Sequence, residues 1–347
     1  MQIINKLYYP VNNDSKRMYF FDNLKFLLIT LVVIGHFLSN MYNFSYNFKG
    51  IYTFIYTFHM PLFIFVTGYF SKSFIKNGEI RIGKIISYFV LYLFLYSFFY
   101  LIDIFILGKN YEINYLYASG LPWYLLVTCF YYISILVLRK VKFKYSISIS
   151  IICALLIGYC ENVQDFLAIQ RAVVFFPFFI LGYYINKDKI NKILNSKFIF
   201  RIIALIILIL FFALCMNKGI NMWQFKKLVT GRNYYSIFID NNFGFLYRFV
   251  YYIVVCIIGI SFMLVTPRCK TFFSEFGSRT IQVYSLHLPV INIIAKHGFF
   301  EFFKNQIFIV KFIPFIVAII LTFILSLKIF SYLFNLIFKI NFTKKIN

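Results

Sequence analysis

Long apolar runs separated by short basic segments organise the chain from about residue 20 to its end. Runs of ~18 or more apolar residues are long enough to cross a bilayer as helices. The pattern predicts ten spans, at roughly 21–41, 52–71, 85–107, 120–138, 146–160, 167–185, 198–216, 246–266, 280–297 and 308–334. The fifth is short and the tenth long. The one long connection, 217–245, falls between spans seven and eight. Residues 1–18, MQIINKLYYPVNNDSKRM, lack the apolar core of a signal peptide, so the first span is expected to start insertion and stay. The expected fold is all-α: a polytopic membrane helix bundle forming one domain over 1–347, with no soluble domain and no internal repeat.

Composition supports lipid as the main solvent. The chain is 62% hydrophobic and 13% charged, where a soluble domain carries ~25% charged residues. The net charge of +24 does not imply a nucleic-acid partner. Its bases sit in short loops between apolar runs, where they set topology and attract anionic membrane lipid. Lys and Arg number 22 in the amino tail, even-numbered loops and carboxyl tail, and 11 in the odd-numbered loops and rims. That bias predicts a multi-pass plasma-membrane protein with both termini cytoplasmic. Residues 1–20 and 335–347 are then cytoplasmic tails, and 217–245 is an extracytoplasmic loop. Cys129, Cys153, Cys160, Cys215, Cys256 and Cys269 show no metal-ligand spacing, and most fall within apolar runs, where cysteine behaves as a small hydrophobe. No metal site is expected, and the oligomeric state is left open.

Within this background, FDNLKFLLITLVVIGHF (Phe21 to Phe37) keeps a lysine and a histidine. Lys25 and His36 are eleven residues apart, about three helical turns plus ~20°, so they share a face with a rise of ~16 Å. Asp22, at i,i+3 to Lys25, can pair with the ammonium or help cap the helix start. Lys25 also has a plain reading as a side chain snorkelling to the cytoplasmic rim. His36 is too deep for that, and an ionisable group at such depth marks a candidate functional site. On the second span, FIYTFHMPLFIFVTGYF places His59 about eight residues, or ~12 Å, from the outer rim. Pro61 loosens the backbone there. Irregular backbone at membrane depth is tolerated where it is buried in protein or lines a cavity, so a polar cavity between spans one and two is expected. Asp103, a rare acid near the outer end of span three, is expected to pair with Arg171 or a histidine.

These residues resemble a known family. Lys25-x10-His36 is similar to the Arg/Lys-x10-His signature of the acyltransferase-3 family of integral membrane acyltransferases, with Lys in the basic place. FHMPLFIFVTGYF resembles its second helix. LPWYLL (with Trp123), RAVVFFPFFILGYY (Arg171 to Tyr184) and GSRTIQVYSLHLPV (Gly277 to Val290, with Tyr284 and His287) resemble later landmarks, in family order. The nearest subgroup resembled is the fucose 4-O-acetylase-like and capsular or exopolysaccharide O-acetyltransferases. The resemblance implies ten membrane helices, acetyl-CoA as donor, and as acceptor a sugar hydroxyl of a cell-surface polysaccharide or its lipid-linked precursor. Two features depart from the family pattern. The Arg-x-x-Arg that often follows the second helix is matched only by Arg81-x-x-Lys84, and a lysine is a point charge rather than a bidentate fork. The serine-hydrolase-like extracytoplasmic domain of some members is not seen.

Acetyl transfer to an alcohol needs a base or an acyl carrier, together with donors for the developing oxyanion. His36 is the candidate base, or alternatively a transient acetyl carrier. His59 and Tyr284 are candidate hydrogen-bond donors, and His287 either lines the route or packs. Lys25 with Asp22, and Arg81 with Lys84, are candidates for the donor's phosphates; the alternative for Arg81 and Lys84 is ordinary positive-inside signal. Trp123, Arg171 and the 217–245 loop are acceptor candidates, and Trp123 is alternatively an interfacial belt residue. Two other functions fit parts of the pattern: a polysaccharide flippase or polymerase-type transporter, and a transferase of another acyl group such as succinyl.

Overall fold

The structure, a computed structural model, describes residues 18–118, 120–163, 165–219, 222–237, 242–339 and 344–345. Most of the two expected tails, and residues 220–221 and 238–241 of the expected outer loop, lie outside the described residues. The protein is mostly helical. Five helices are long and apolar enough to cross a membrane: Tyr19–Ser39 (α1), Tyr46–Phe74 (α2, whose last turn is 3-10), Ile82–Ile106 (α3, ending in a π turn), Phe198–Met216 (α8) and Gly244–Val265 (α9). A sixth results if Ile169–Tyr184 (α6) and the short Lys187–Leu194 (α7) are one bent span. Trp123–Leu138 (α4), Phe143–Tyr159 (α5) and Val310–Leu325 (α12) are shorter apolar helices, Thr280–Lys296 (α10) is a helix of 17 residues, and Phe299–Lys304 (α11) and Ser331–Phe338 (α13) are short connections. Each of the ten predicted segments therefore contains a helix, five or six of them long and apolar enough to cross a membrane.

Two boundaries differ from the sequence expectation. Helix α2 begins six residues earlier than the predicted 52, and its 29 residues make a rod of ~43 Å, longer than the ~30 Å hydrocarbon layer. The tenth segment breaks after Leu325, where Gln282 Nε2 donates to the carbonyls of Leu325 (2.7 Å) and Leu327 (2.8 Å). A side-chain amide thus satisfies carbonyls at the helix end, and the chain resumes as α13. The only sheet among the described residues is small. Lys76 and Glu79 pair across an Asn77-Gly78 turn with φ of 53° and 76°, the left-handed geometry that two-residue hairpins require. Lys344–Lys345 adds a third strand.

The chain divides into two compact units. The first comprises residues 1–59, 187–223 and 255–331, and the second 60–186, 224–254 and 332–347. In the first, α1 packs against α10 and α12. Asn23 Nδ2 donates to the carbonyls of Pro267 and Cys269, both at 2.9 Å, while its Oδ1 accepts from Thr271 (2.9 Å) and Ser274 (2.6 Å). Gly277 lies directly on the backbone of Asp22, with no room for a Cβ. In the second unit α6 packs on α4 and α5, and α3 on α4. There Gly68 lies on the Phe179 carbonyl and Gly182 on the Phe65 carbonyl. This reciprocal pair of glycines lets α2 and α6 touch backbone to backbone, the small-residue contact common between membrane helices.

The side-chain distribution identifies the solvent. On α8, buried Arg201, Ala204, Leu208, Phe211 and Cys215 recur every three or four residues. The rest of its surface exposes Ile199, Ile202, Leu205, Ile206, Ile209 and Leu210. A guanidinium turned inward and an isoleucine-leucine face turned outward suits hydrocarbon, not water. The protein is a multi-pass membrane protein.

Gly182→Val would push two methyl groups into the Phe65 carbonyl, and overpacking of this kind costs ~1–3 kcal/mol. The variant is expected to unfold several degrees below wild type in detergent, measured by a dye-based thermal shift. An unchanged midpoint would show that the α2–α6 contact is looser than described.

Candidate active site

The first unit brings together three histidines from three helices: His36 on α1, His59 on α2 and His287 on α10. The rings of His36 and His287 lie 5.1 Å apart at 51°. His59 is within electrostatic reach of His36. Residues in contact far apart in sequence set this register. Gly277 on Asp22 fixes the start of α10 against the start of α1, and both helices then rise in the same direction. Fourteen residues carry α1 to His36 and ten carry α10, through a stretched 3-10 turn, to His287. At ~1.5 Å per α-helical residue and ~2.0 Å per 3-10 residue, the rises are ~21 Å and ~16 Å, a difference of under one turn that the ring contact at 5.1 Å spans. On α2, Tyr56 fits against Gly35, where a Cβ would come 2.8 Å from its ring. Tyr56 then meets His59 edge to face at 4.8 Å.

Two of the histidines are built alike. His59 Nδ1–H donates to the Ile55 carbonyl and His287 Nδ1–H to the Val283 carbonyl, each at 2.8 Å and four residues back. A carbonyl can only accept, so the proton sits on Nδ1 and the lone pair on Nε2. Each histidine precedes a proline by two residues, Pro61 and Pro289. A proline has no N–H for the carbonyl four residues earlier, so both helices carry a polar defect beside the imidazole. His287 is fully buried, and among the described residues its Nε2 has no hydrogen-bond partner. A neutral imidazole with an unbonded lone pair beside a second imidazole presents the atom that a proton acceptor requires.

The other sequence-predicted residues fall in two groups. Asp22 and Lys25 belong to the histidine unit and are ion-paired at 3.0 Å, on the face that continues to His36. Tyr284 is buried one turn before His287 on α10. Arg81, Lys84, Trp123 and Arg171 belong to the second unit. Lys84 donates to Ser73 Oγ at 2.7 Å and lies over Tyr132, while Arg81 immediately precedes α3. The Trp123 ring is 9% exposed, stacked on Phe175 at 5.7 Å and overlaid by the Arg171 guanidinium at 5.0 Å.

Arg171 pairs with Asp165 at 3.6 Å, and Asp165 also binds the largely exposed Arg232. The expected pairing of Asp103 with Arg171 or a histidine is therefore incorrect. The chain turns at Gly108 (φ 70°), and Lys109 folds back so that its ammonium binds Asp103 at 2.9 Å, with the Tyr111 hydroxyl at 2.7 Å. Burial and this bond raise the Tyr111 phenol above its ordinary value, keeping it a neutral donor. The recurrence of His-x-Pro in spans two and nine is a further sequence signal for His287. Tyr52 and Tyr56 were not among the residues singled out from the sequence, and their spacing with His59 along one helix face is the signal that identifies them.

A profile of the family described as acyltransferase domain matches residues 18–331. Neither the curated proteins nor the solved structures contain a match to the chain.

Asp165→Asn removes the carboxylate of the buried Arg171, and breaking a buried pair from one side costs ~3–5 kcal/mol. The variant is expected to accumulate poorly in membranes and to melt earlier in detergent. Normal accumulation and an unchanged midpoint would show that Arg171 does not depend on Asp165.

Proposed function

The chain belongs to this acyltransferase family, and from that premise we propose that it is a membrane O-acetyltransferase. It moves an acetyl group from cytoplasmic acetyl-CoA to a sugar hydroxyl of a cell-surface polysaccharide or its lipid-linked precursor, as the fucose 4-O-acetylase-like and capsular enzymes do. The observation that carries the reading is the His36–His287 pair at the far end of the face that begins with Lys25. The orientation follows the charge count: ten spans in the plasma membrane, both termini inside, and the His36 end of α1 toward the outside.

In this mechanism Lys25 holds a phosphate of the donor at the cytoplasmic rim, oriented by Asp22. The extended pantetheine arm climbs the shared face and sets the thioester beside His36. His36 removes the proton of the acceptor hydroxyl as its oxygen attacks the thioester carbonyl. The C–O bond forms, the C–S bond breaks, and the proton passes to the departing coenzyme A sulfur. Tyr284 supplies a hydrogen bond to the developing oxyanion, a contribution that grows as charge develops. His59, expected from the sequence as a second donor, has its N–H committed to the Ile55 carbonyl and presents a lone pair instead. His287, with its lone pair beside His36, accepts and returns the proton in turn.

His36→Ala is expected to abolish the O-acetyl signals of the surface polysaccharide, read by NMR, while the protein still accumulates in the membrane. His287→Asn preserves a donor for the Val283 carbonyl and deletes Nε2. It is expected to lower kcat at least ~100-fold, the scale of general acid–base catalysis. Retained acetylation in the first variant would remove His36 from the chemistry, and a normal kcat in the second would make His287 a packing residue.

Lys25→Ala is expected to raise KM for acetyl-CoA with little change in the KM for the acceptor. An unchanged acetyl-CoA requirement would leave Lys25 an interfacial anchor.

A further inference from the structure

Several aromatic residues of α2 pack against neighbouring helices. Phe48 packs on Phe312 and Phe315, Phe54 on Phe211 and Phe212, and Phe58 on Phe262. These rings are the helix's packing surface. Two tyrosines lie on the face that carries His59: Tyr56 touches His59, and Tyr52 stacks on Tyr56 at 3.8 Å and 13°. Beyond Tyr52 come Tyr42 at 6.1 Å and Trp223 at 5.6 Å, themselves 5.0 Å apart. A continuous series of amphipathic rings thus leads from the connection after α8 down to the histidines. Trp223 and Tyr42 at its mouth are only half-buried, unlike Trp123. The entrance is anchored: Gly50 lies against the Cys215 carbonyl, where a Cβ would come within 2.7 Å, and the Tyr46 hydroxyl donates to the Asn217 carbonyl at 2.9 Å. These two contacts hold the end of α8, and with it the start of the Trp223 segment, on the first turns of α2.

We propose that Trp223 and Tyr42 form the acceptor platform, on which a pyranose ring stacks at the mouth of the tyrosine series that leads through Tyr52 and Tyr56 to the histidines. The inference rests on the acetyltransferase reading above. Sugar rings present an apolar C–H face and a hydroxyl rim, and an aromatic ring with a polar handle matches both. Phenylalanine would offer only the first. Lys49, over the Trp223 ring at 5.6 Å, is a flexible side chain that yields its place to an incoming sugar ring.

The test uses the full chain in detergent and oligosaccharides cut from the producing cells' own surface polysaccharide, stripped of O-acetyl groups by mild alkali. Trp223→Ala is expected to raise the acceptor KM about tenfold or more, equivalent to ~1.4 kcal/mol, with the acetyl-CoA KM unchanged. Trp223→Phe should stay within a few-fold of wild type. Independently of turnover, the oligosaccharide should quench tryptophan fluorescence of the wild type and not of Trp223→Phe, in which Trp123 is the only tryptophan left. Equal quenching in both proteins, no quenching in either, or an unchanged acceptor KM in Trp223→Ala would overturn the platform. If the wild type transfers no acetyl to the oligosaccharide yet Trp223 is quenched, the platform stands and the acetyltransferase reading fails.

Discussion

The contact on which the site depends lies at the opposite end of α1 from the histidines. Asn23 binds two carbonyls and two hydroxyls of the segment 267–274, and Gly277 lies on the Asp22 backbone. Together they fasten the start of α10 to the start of α1. Asn23 and Ser274 are fully buried, and each such group left without a partner would cost ~1–3 kcal/mol. The packing of α1 on α10 carries that register along the helices, so that His36 and His287 meet. The same junction carries Asp22 and Lys25, so one contact sets both ends of the face proposed for the donor.

Lipid as solvent explains what surrounds the site. Apolar side chains face outward on α8, so helix association relies on close packing and on hydrogen bonds that the membrane cannot replace. Gly68 and Gly182 bring two backbones together in one unit, and Gly50 and Gly35 bring neighbours close in the other. Against that packed background the histidine helices are exceptions. Each has a proline two residues after its imidazole, and each imidazole spends Nδ1–H on its own helix. The ring is thereby oriented and its tautomer fixed without a carboxylate. The third histidine, His36, lies in the last turn of its helix, where the Ser39 hydroxyl and the Asn40 side-chain amide bind its backbone carbonyl and leave the ring to the His287 contact.

Much of this was legible in the order of residues. Hydrophobic periodicity and length located a helix in every predicted span, because a membrane helix satisfies its backbone within itself. The eleven-residue spacing of Lys25 and His36 gave a shared face, since helical geometry is local. The Asp22–Lys25 pair followed from i,i+3 adjacency. Boundaries were less legible. The start of α2 at Tyr46 depends on contacts with the end of α8, and the break after Leu325 depends on Gln282, 43 residues earlier in the chain.

The chain alone therefore determined the solvent, the helices and the face of each helix, all of which are properties of neighbours in sequence. It did not determine which faces meet. That His287 rather than His59 has its ring against His36, that Asp165 rather than Asp103 serves Arg171, and that Trp223 rather than Trp123 stands at the head of the tyrosine series were decided by tertiary structure. Each depends on the rotation and register of helices held by groups as far apart as Asn23 and Ser274. A one-residue slip in that register turns a side chain by about 100°, and nothing local in the sequence penalises the slip.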